Sequence, residues 1–106
     1  MTPDLMGVLT QLRDGLRHAL GDNLARVTVY GSQARGDATD DSDIDVLCIM
    51  KESFDYGDLV LKTGAVSAEI SLKHDVVIST VFATRADYEG RNTPFLMNVR
   101  REAVPV

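Results

Sequence analysis

The chain has 106 residues, of which 44% are hydrophobic, and its 11 basic and 16 acidic residues give a formal net charge of -5 at pH 7. This length is enough for one core, and no repeat or linker divides it, so we expect residues 1–106 to form a single domain. The acidic balance argues against a long nucleic acid as partner, because such binding draws much of its affinity from lysine and arginine. We find no apolar run that could cross a bilayer and no signal-peptide pattern, so we expect a cytoplasmic protein without a membrane partner.

The first half of the chain carries one helical pattern and two strand patterns. Leucines recur at helical spacing between a capping Thr2 and a terminating Gly21, which predicts a first helix with a core-packing face. Residues 24–30 alternate and contain β-branched Val27, which is typical of a strand. The apolar run at 46–50 predicts a second, buried strand.

The second half continues the alternation of helices and strands. A helical period covers 54–72, and a run of β-branched residues predicts a third strand over 75–81. Two short helices are expected at 85–89 and after Thr93, where a threonine precedes a proline. Because strands alternate with helical segments, the sequence predicts an α/β fold: a small mixed sheet of about three to four strands with helices mainly on one face. We expect the other face to carry the site.

Between the first two strands lies a tight turn that is suited to a phosphate group. Gly31 has no Cβ, so its backbone can approach a ligand closely, while Ser32 offers a hydroxyl group and begins a short helix with free N–H groups. Arg35 follows on that helix. Its guanidinium could contact triphosphate oxygens, or it could pair with Asp43 or another carboxylate, and the sequence leaves both alternatives open.

Two carboxylates begin the second strand. Asp43 and Asp45 are separated by Ile44, so in a strand both side chains share one face at a spacing of about 6.5–7 Å. Two adjacent ionised carboxylates repel each other, and a divalent cation relieves that repulsion. Oxygen ligands suit Mg²⁺ or Mn²⁺, and these ions often take further ligands from substrate phosphates. A phosphate turn facing this pair therefore predicts a site for a metal-bound nucleoside triphosphate.

The spacing of these residues resembles the signature of a known superfamily. A hydrophobic residue followed by Gly31 and Ser32, then a gap of ten residues and an Asp-x-Asp pair, resembles the DNA polymerase β superfamily of nucleotidyltransferases. The fuller pattern, residues 31–36 with 42–46, is similar to its minimal nucleotidyltransferase branch, which includes the antitoxins paired with HEPN-domain toxins. The resemblance implies a polymerase β-like nucleotidyltransferase fold, and the order of elements is similar over nearly the whole chain.

The resemblance also implies roles for individual residues. In this family a strand beside the Asp-x-Asp strand contributes a third carboxylate, and Asp75 matches that position. Asp43 and Asp45 would hold one Mg²⁺ on the triphosphate, and Asp75 would help to hold a second that activates an acceptor hydroxyl for attack on the α-phosphate. Gly31 and Ser32 would hold the outer phosphates. The implied reaction transfers a nucleoside monophosphate, AMP from ATP, to the acceptor.

Three interpretations of the function remain open. Larger members of the superfamily that act on tRNA, DNA or antibiotics carry extra domains that hold the acceptor, whereas this chain ends soon after its third acidic strand, so we expect a companion to present the acceptor. The first interpretation is an antitoxin that nucleotidylates a partner protein such as a HEPN-type toxin. The second is a docking module without activity, and the third is a homodimer that modifies a small molecule such as an aminoglycoside. The intact carboxylates favour activity over docking alone.

Overall fold

A mixed four-stranded β-sheet organises the residues described by this computed structural model, which are 2–39 and 41–106. None of the helices in these two segments is long and apolar enough to cross a membrane. In chain order the elements are α1 (Pro3–Leu20), a 3-10 turn (Gly21–Asn23), β1 (Leu24–Tyr30), α2 (Ser32–Arg35), β2 (Ile44–Met50), α3 (Tyr56–His74), β3 (Ile78–Thr84), α4 (Arg85–Gly90), α5 (Pro94–Glu102) and β4 (Val104–Pro105).

The sheet has the strand order β3-β2-β1-β4. β2 pairs antiparallel with β1, where Tyr30 lies opposite Asp45, and parallel with β3, where Ser79 lies opposite Asp45. β4 adds a short antiparallel edge to β1 through Val104 and Val29. β1 and β2 are the two central strands, and the last residue of β1 lies opposite the start of β2. This pairing brings the two halves of the sequence motif together at one end of the strands.

The larger core lies between the sheet and the two long helices. Leu12 and Leu16 of α1 are fully buried, and Leu59 of α3 packs in the same cluster. The even-numbered residues of β2 face these helices because side chains alternate along a strand. They are Ile44, Val46, Cys48 and Met50.

A smaller cluster covers part of the opposite face of the sheet. Leu47 and Ile49 of β2 pack against Val99 of α5, and all three side chains are almost completely buried. Asp45 shares this face because it is an odd-numbered residue of the same strand. The α/β class, with a mixed sheet and the long helices on one face, is confirmed, and the C-terminal helix α5 packs on the face that carries the motif carboxylates.

The boundary between α3 and β3 differs from the sequence prediction. The helix runs to His74 and the strand begins at Ile78, so the prediction that Asp75 starts the third strand is wrong. Asp75 is the C-terminal cap of α3, in a left-handed conformation with φ 52° and ψ 52°, and its N–H donates to the carbonyl of Ser71. Asp tolerates the left-handed conformation better than most residues, because its short polar side chain can form local hydrogen bonds. The helix therefore ends at Asp75.

Candidate functional site

The predicted phosphate turn has glycine at the point where its backbone lies against Asp45. Gly31 caps α2 with φ 72° and ψ -152°, a conformation that favours glycine. A Cβ atom on this residue would lie 2.5 Å from Oδ2 of Asp45. The backbone of the turn is thus in direct contact with one motif carboxylate. Ser32 follows as the first residue of α2, in agreement with the short helix predicted from the sequence.

The charge of one motif carboxylate acts on the other. Asp45 is half-buried at the start of β2 and Asp43 is exposed just before the strand. Burial raises the pKa of Asp45, the charge of Asp43 raises it further, Arg35 opposes these effects, and Glu102 adds a smaller increase. Ionising Asp45 beside another carboxylate costs free energy, and a bound cation would lower that cost. This pair of oxygen donors therefore fits a divalent metal ion.

The structure does not bring Asp75 to this pair. β3 runs parallel to β2, and Ser79 of β3 lies opposite Asp45. The carbonyl of Val77, the residue before β3, accepts a hydrogen bond from the Ile44 amide at 2.8 Å. Val77 is 61% exposed. Within residues 2–39 and 41–106, no three Asp, Glu, His or Cys side chains lie close enough to hold a metal ion together. The role of Asp75 as a third metal ligand stays a prediction.

Arg35 adopts the pairing that the sequence left as one of two alternatives. Its Nε donates to Oδ2 of Asp37 at 3.2 Å, and its Nη1 donates to Oε2 of Glu102 at 3.0 Å. These carboxylates, rather than Asp43, are its partners. The side chain is still 48% exposed. Contact between Arg35 and a triphosphate stays a prediction. The pairing with Asp37 and Glu102 is compatible with it, because a guanidinium has five N–H donors and these carboxylates engage two of them.

Glu102 is a member of the site that the sequence analysis missed. Its Oε1 accepts a hydrogen bond from the Gly31 amide at 3.1 Å, while its Oε2 pairs with Arg35. It lies 71 residues from Gly31, and no motif marks it. One local signal was present, because a carboxylate at the C-terminal end of a helix is unfavourable with the helix dipole and therefore calls for a partner elsewhere.

Tyr30 lies close enough to Asp45 and Glu102 to be affected by their charges. Burial raises the pKa of its hydroxyl group, and the charges of Asp45 and Glu102 raise it further. Its ring meets Phe95 of α5 edge to face, with 5.5 Å between the ring centroids. The aromatic pair therefore packs the end of β1 against the helix that supplies Glu102.

Sequence comparisons agree with this architecture. Residues 9–95 match the model of the nucleotidyltransferase domain family. Two relatives from Methanocaldococcus jannaschii, both named as candidate protein adenylyltransferases, are 31% and 32% identical to this chain over 80 and 91 residues. The first match covers 74% of this chain and 78% of the relative, and the second covers 84% of each.

Comparisons of solved structures lead to the same family. A candidate minimal nucleotidyltransferase is 25% identical and has a TM-score of 0.62, and the match covers 96% of this chain and 95% of that one. A chain of the complex between a tri-AMPylated HEPN toxin of Shewanella oneidensis and an MNT antitoxin shares the fold, with a TM-score of 0.54 at 14% identity over 93% of this chain and 65% of that one. With the Gly31 turn set against the Asp43 and Asp45 pair on such a sheet, the chain belongs to the nucleotidyltransferase domain family, as one of its minimal, polymerase β-like members.

Proposed function

We propose that this protein transfers AMP from ATP to a hydroxyl group on a partner protein. The observation that carries the proposal is the contact between the two halves of the motif, in which the Gly31 backbone leaves no room for a Cβ beside Oδ2 of Asp45. A phosphate held at this turn would lie next to the carboxylate pair. The two candidate protein adenylyltransferases of M. jannaschii support a protein as the acceptor.

Asp43 and Asp45 are the residues that would hold Mg²⁺, with Mn²⁺ as a substitute. When bound, the ion supplies positive charge that offsets the triphosphate and aligns its oxygens. The raised pKa of Asp45 beside Asp43 supports this assignment, since the pair is strained electrostatically without a cation. A second ion, with Asp75 as ligand, requires the connection between α3 and β3 to bring that residue closer.

The residues of the turn would hold the phosphates. The Ser32 hydroxyl group is a hydrogen-bond donor at this turn, and Arg35 adds a positive charge one helical turn later. Gly31, whose amide donates to Glu102, would let its backbone approach the phosphates closely. In the reaction, the acceptor hydroxyl group releases its proton to solvent, its oxygen forms a bond to the α-phosphorus, and the bond from that phosphorus to the bridging oxygen breaks. Pyrophosphate leaves, and holding its oxygens in place is the contribution of these donors.

We further propose that the acceptor belongs to a companion protein of the HEPN-toxin class and that this chain acts as its antitoxin. The fold shared with a chain of the S. oneidensis toxin–antitoxin complex supports this role. The net charge of -5 supports a protein acceptor over a long polynucleotide. One observation favours another candidate, a docking antitoxin without activity: the residue of β3 opposite Asp45 is Ser79, which has no carboxylate.

One experiment separates these functions. The purified chain is incubated with ATP and Mg²⁺, with and without the product of its neighbouring gene, and both proteins are weighed by intact-mass spectrometry. We expect one or more AMP units on the partner, and none when the chain carries Asp43→Asn and Asp45→Asn. A tight complex without any mass change, under each of the four nucleotides, contradicts transfer to the partner and supports docking alone.

A further inference from the structure

We propose that Glu102 is a positioning residue of the nucleotide site, which fixes the backbone of the Gly31 turn and orients the Arg35 guanidinium for the triphosphate. This inference rests on the proposed function. The two contacts use both carboxylate oxygens of Glu102, at 3.1 Å to the Gly31 nitrogen and 3.0 Å to Nη1 of Arg35. Gly31 is the N-terminal cap of α2 and Arg35 is its last residue, so one carboxylate joins both ends of this helix.

A helix as short as α2 needs such support. It contains four residues, Ser32–Arg35, whereas isolated helices shorter than about 12–15 residues are marginal in water. Its ends are also the points that meet the phosphates in the proposed function. Fixing both ends from outside the helix therefore sets the geometry of the donors before the nucleotide arrives, which lowers the entropy cost of binding.

Glu102 is itself held firmly on both sides. Before it, Val99 of α5 is almost completely buried against Leu47 and Ile49 of β2. After it, the chain enters β4, where Val104 pairs with Val29 of β1. Because β1 also leads directly into Gly31, the strand pair and the packed helix place the carboxylate at a fixed position relative to the turn.

The charge of Glu102 is the feature that separates positioning from simple packing. A neutral Gln could still accept a hydrogen bond from the Gly31 amide, although a weaker one. The negative charge is unfavourable at the C-terminal end of α5, and it also lies near Asp45, whose pKa it helps to raise. The pairing with Arg35 is the contact that requires the charge and that helps to offset these costs. The charge therefore indicates that Glu102 orients the guanidinium.

The pairing leaves part of Arg35 available for a ligand. Asp37 and Glu102 engage its Nε and Nη1, which are two of the three guanidinium nitrogens, and the side chain is 48% exposed. Two carboxylates thus hold the plane of the guanidinium while other N–H groups can reach a phosphate oxygen. A flexible arginine at the surface would lose more rotamer freedom on binding.

The test measures the affinity for MgATP by calorimetry for the wild type, Glu102→Gln and the control Glu69→Gln. Glu69 is an exposed glutamate of α3, so the control removes the same charge away from the site. We expect Glu102→Gln to raise the Kd about 10-fold, as for loss of one charge-assisted hydrogen bond, and Glu69→Gln to leave it unchanged. Equal affinity in wild type and Glu102→Gln contradicts positioning, and tighter binding shows instead that Glu102 competes with the triphosphate.

A double-mutant cycle and a comparison of Tm values exclude a purely structural role. The single variant Arg35→Gln and the double variant that also carries Glu102→Gln should bind MgATP equally weakly, because Glu102 acts through Arg35. Additive losses contradict that mechanism. Similar Tm values for Glu102→Gln and the wild type show that the lost affinity does not come from unfolding. A lower Tm with unchanged Kd means that Glu102 contributes only to stability.

A final measurement separates failure of this inference from failure of the proposed function. If the wild type binds no nucleotide, the proposed function is wrong, and the hydrogen exchange of the Gly31 amide then decides on Glu102. We expect that amide to exchange at least about 10-fold faster in Glu102→Ala than in the wild type, because it loses its acceptor. An unchanged exchange rate contradicts the contact on which the inference depends.

Discussion

Oδ2 of Asp45 lies 2.5 Å from the point that a Cβ atom on Gly31 would occupy. The turn and the strand that carries the carboxylate are therefore packed without space for any larger residue. The positive φ of Gly31 adds a second requirement for glycine at this position. This contact joins the two halves of the sequence motif, and several expectations depend on it.

Replacing Gly31 by Ala should damage both stability and binding. The new methyl group would push Asp45 away, and the backbone conformation is strained for Ala, so we expect unfolding free energy to fall by about 1–3 kcal/mol. Gly64→Ala is the matched control, because Gly64 lies inside α3 with open space around it, and that change should stabilise by about 0.5–1 kcal/mol. Denaturant unfolding and MgATP titration measure both effects. A Gly31→Ala protein with normal stability and affinity contradicts the close contact.

Asp45→Asn should raise the Tm of the metal-free protein at neutral pH. The folded state raises the pKa of this carboxyl above its ordinary value of 3.8, chiefly by burial and by Asp43. The folded form therefore binds a proton more tightly than the unfolded form, and stability falls as pH rises through the raised pKa. Thermal melts across pH should show a gap between variant and wild type that closes as pH falls towards 3.8. A gap that widens on acidification contradicts the direction of the shift.

Mg²⁺ should stabilise the wild type and leave the Asp43→Asn, Asp45→Asn double variant unchanged. Binding to the folded state alone stabilises by mass action, by about 2.7 kcal/mol when free Mg²⁺ exceeds Kd 100-fold. Thermal melts with Mg²⁺ and then with a chelator measure the shift and its reversal. Asp22→Asn removes an exposed carboxylate outside the site and serves as the control. An equal Mg²⁺ effect in the double variant would place the ion elsewhere.

Asp75→Asn tests the third carboxylate. Asn tolerates the left-handed conformation as Asp does, so we expect the Tm to be unchanged. The Mg²⁺-induced shift in Tm without nucleotide should also be unchanged, because Asp75 lies apart from Asp43 and Asp45. Its predicted role in holding a second ion requires that AMP transfer falls at least about 10-fold. Full transfer activity in this variant would mean that Asp75 is no part of the site.

Val77→Asp should build a third metal ligand beside the pair. Val77 lies two residues before Ser79, which pairs with Asp45, so the alternation of side chains puts it on the face of Asp45. It is 61% exposed, so a polar side chain can be accommodated there. We expect lower stability without metal, from repulsion among three carboxylates, and an affinity for Mg²⁺ that is higher by about 10-fold. Val60→Asp, at an exposed position of α3, is the control. Unchanged Mg²⁺ affinity would show that residue 77 does not face the ion.

The elements that were predictable from sequence are those with strong local patterns. The leucine spacing of α1, the strand at Leu24–Tyr30 and the motif turn agree with the structure, because each depends on residues close in the chain. The end of α3 was harder, since helical and β-branched patterns merge where Asp75 lies. β4 has two residues, Val104 and Pro105, and no local pattern distinguishes so short a strand.

By itself the sequence determined the fold class and predicted the centre of the site, because Gly31, Asp43 and Asp45 lie at the facing ends of two neighbouring strands that a short connection joins. Only the tertiary structure decided what surrounds them. The register of β2 and β3 puts Ser79 rather than an acid opposite Asp45, and the packing of α5 brings Glu102 across 71 residues to the turn. Such contacts depend on how whole elements pack, which residue spacing does not encode, whereas the motif lies within one β-strand–turn–β-strand unit.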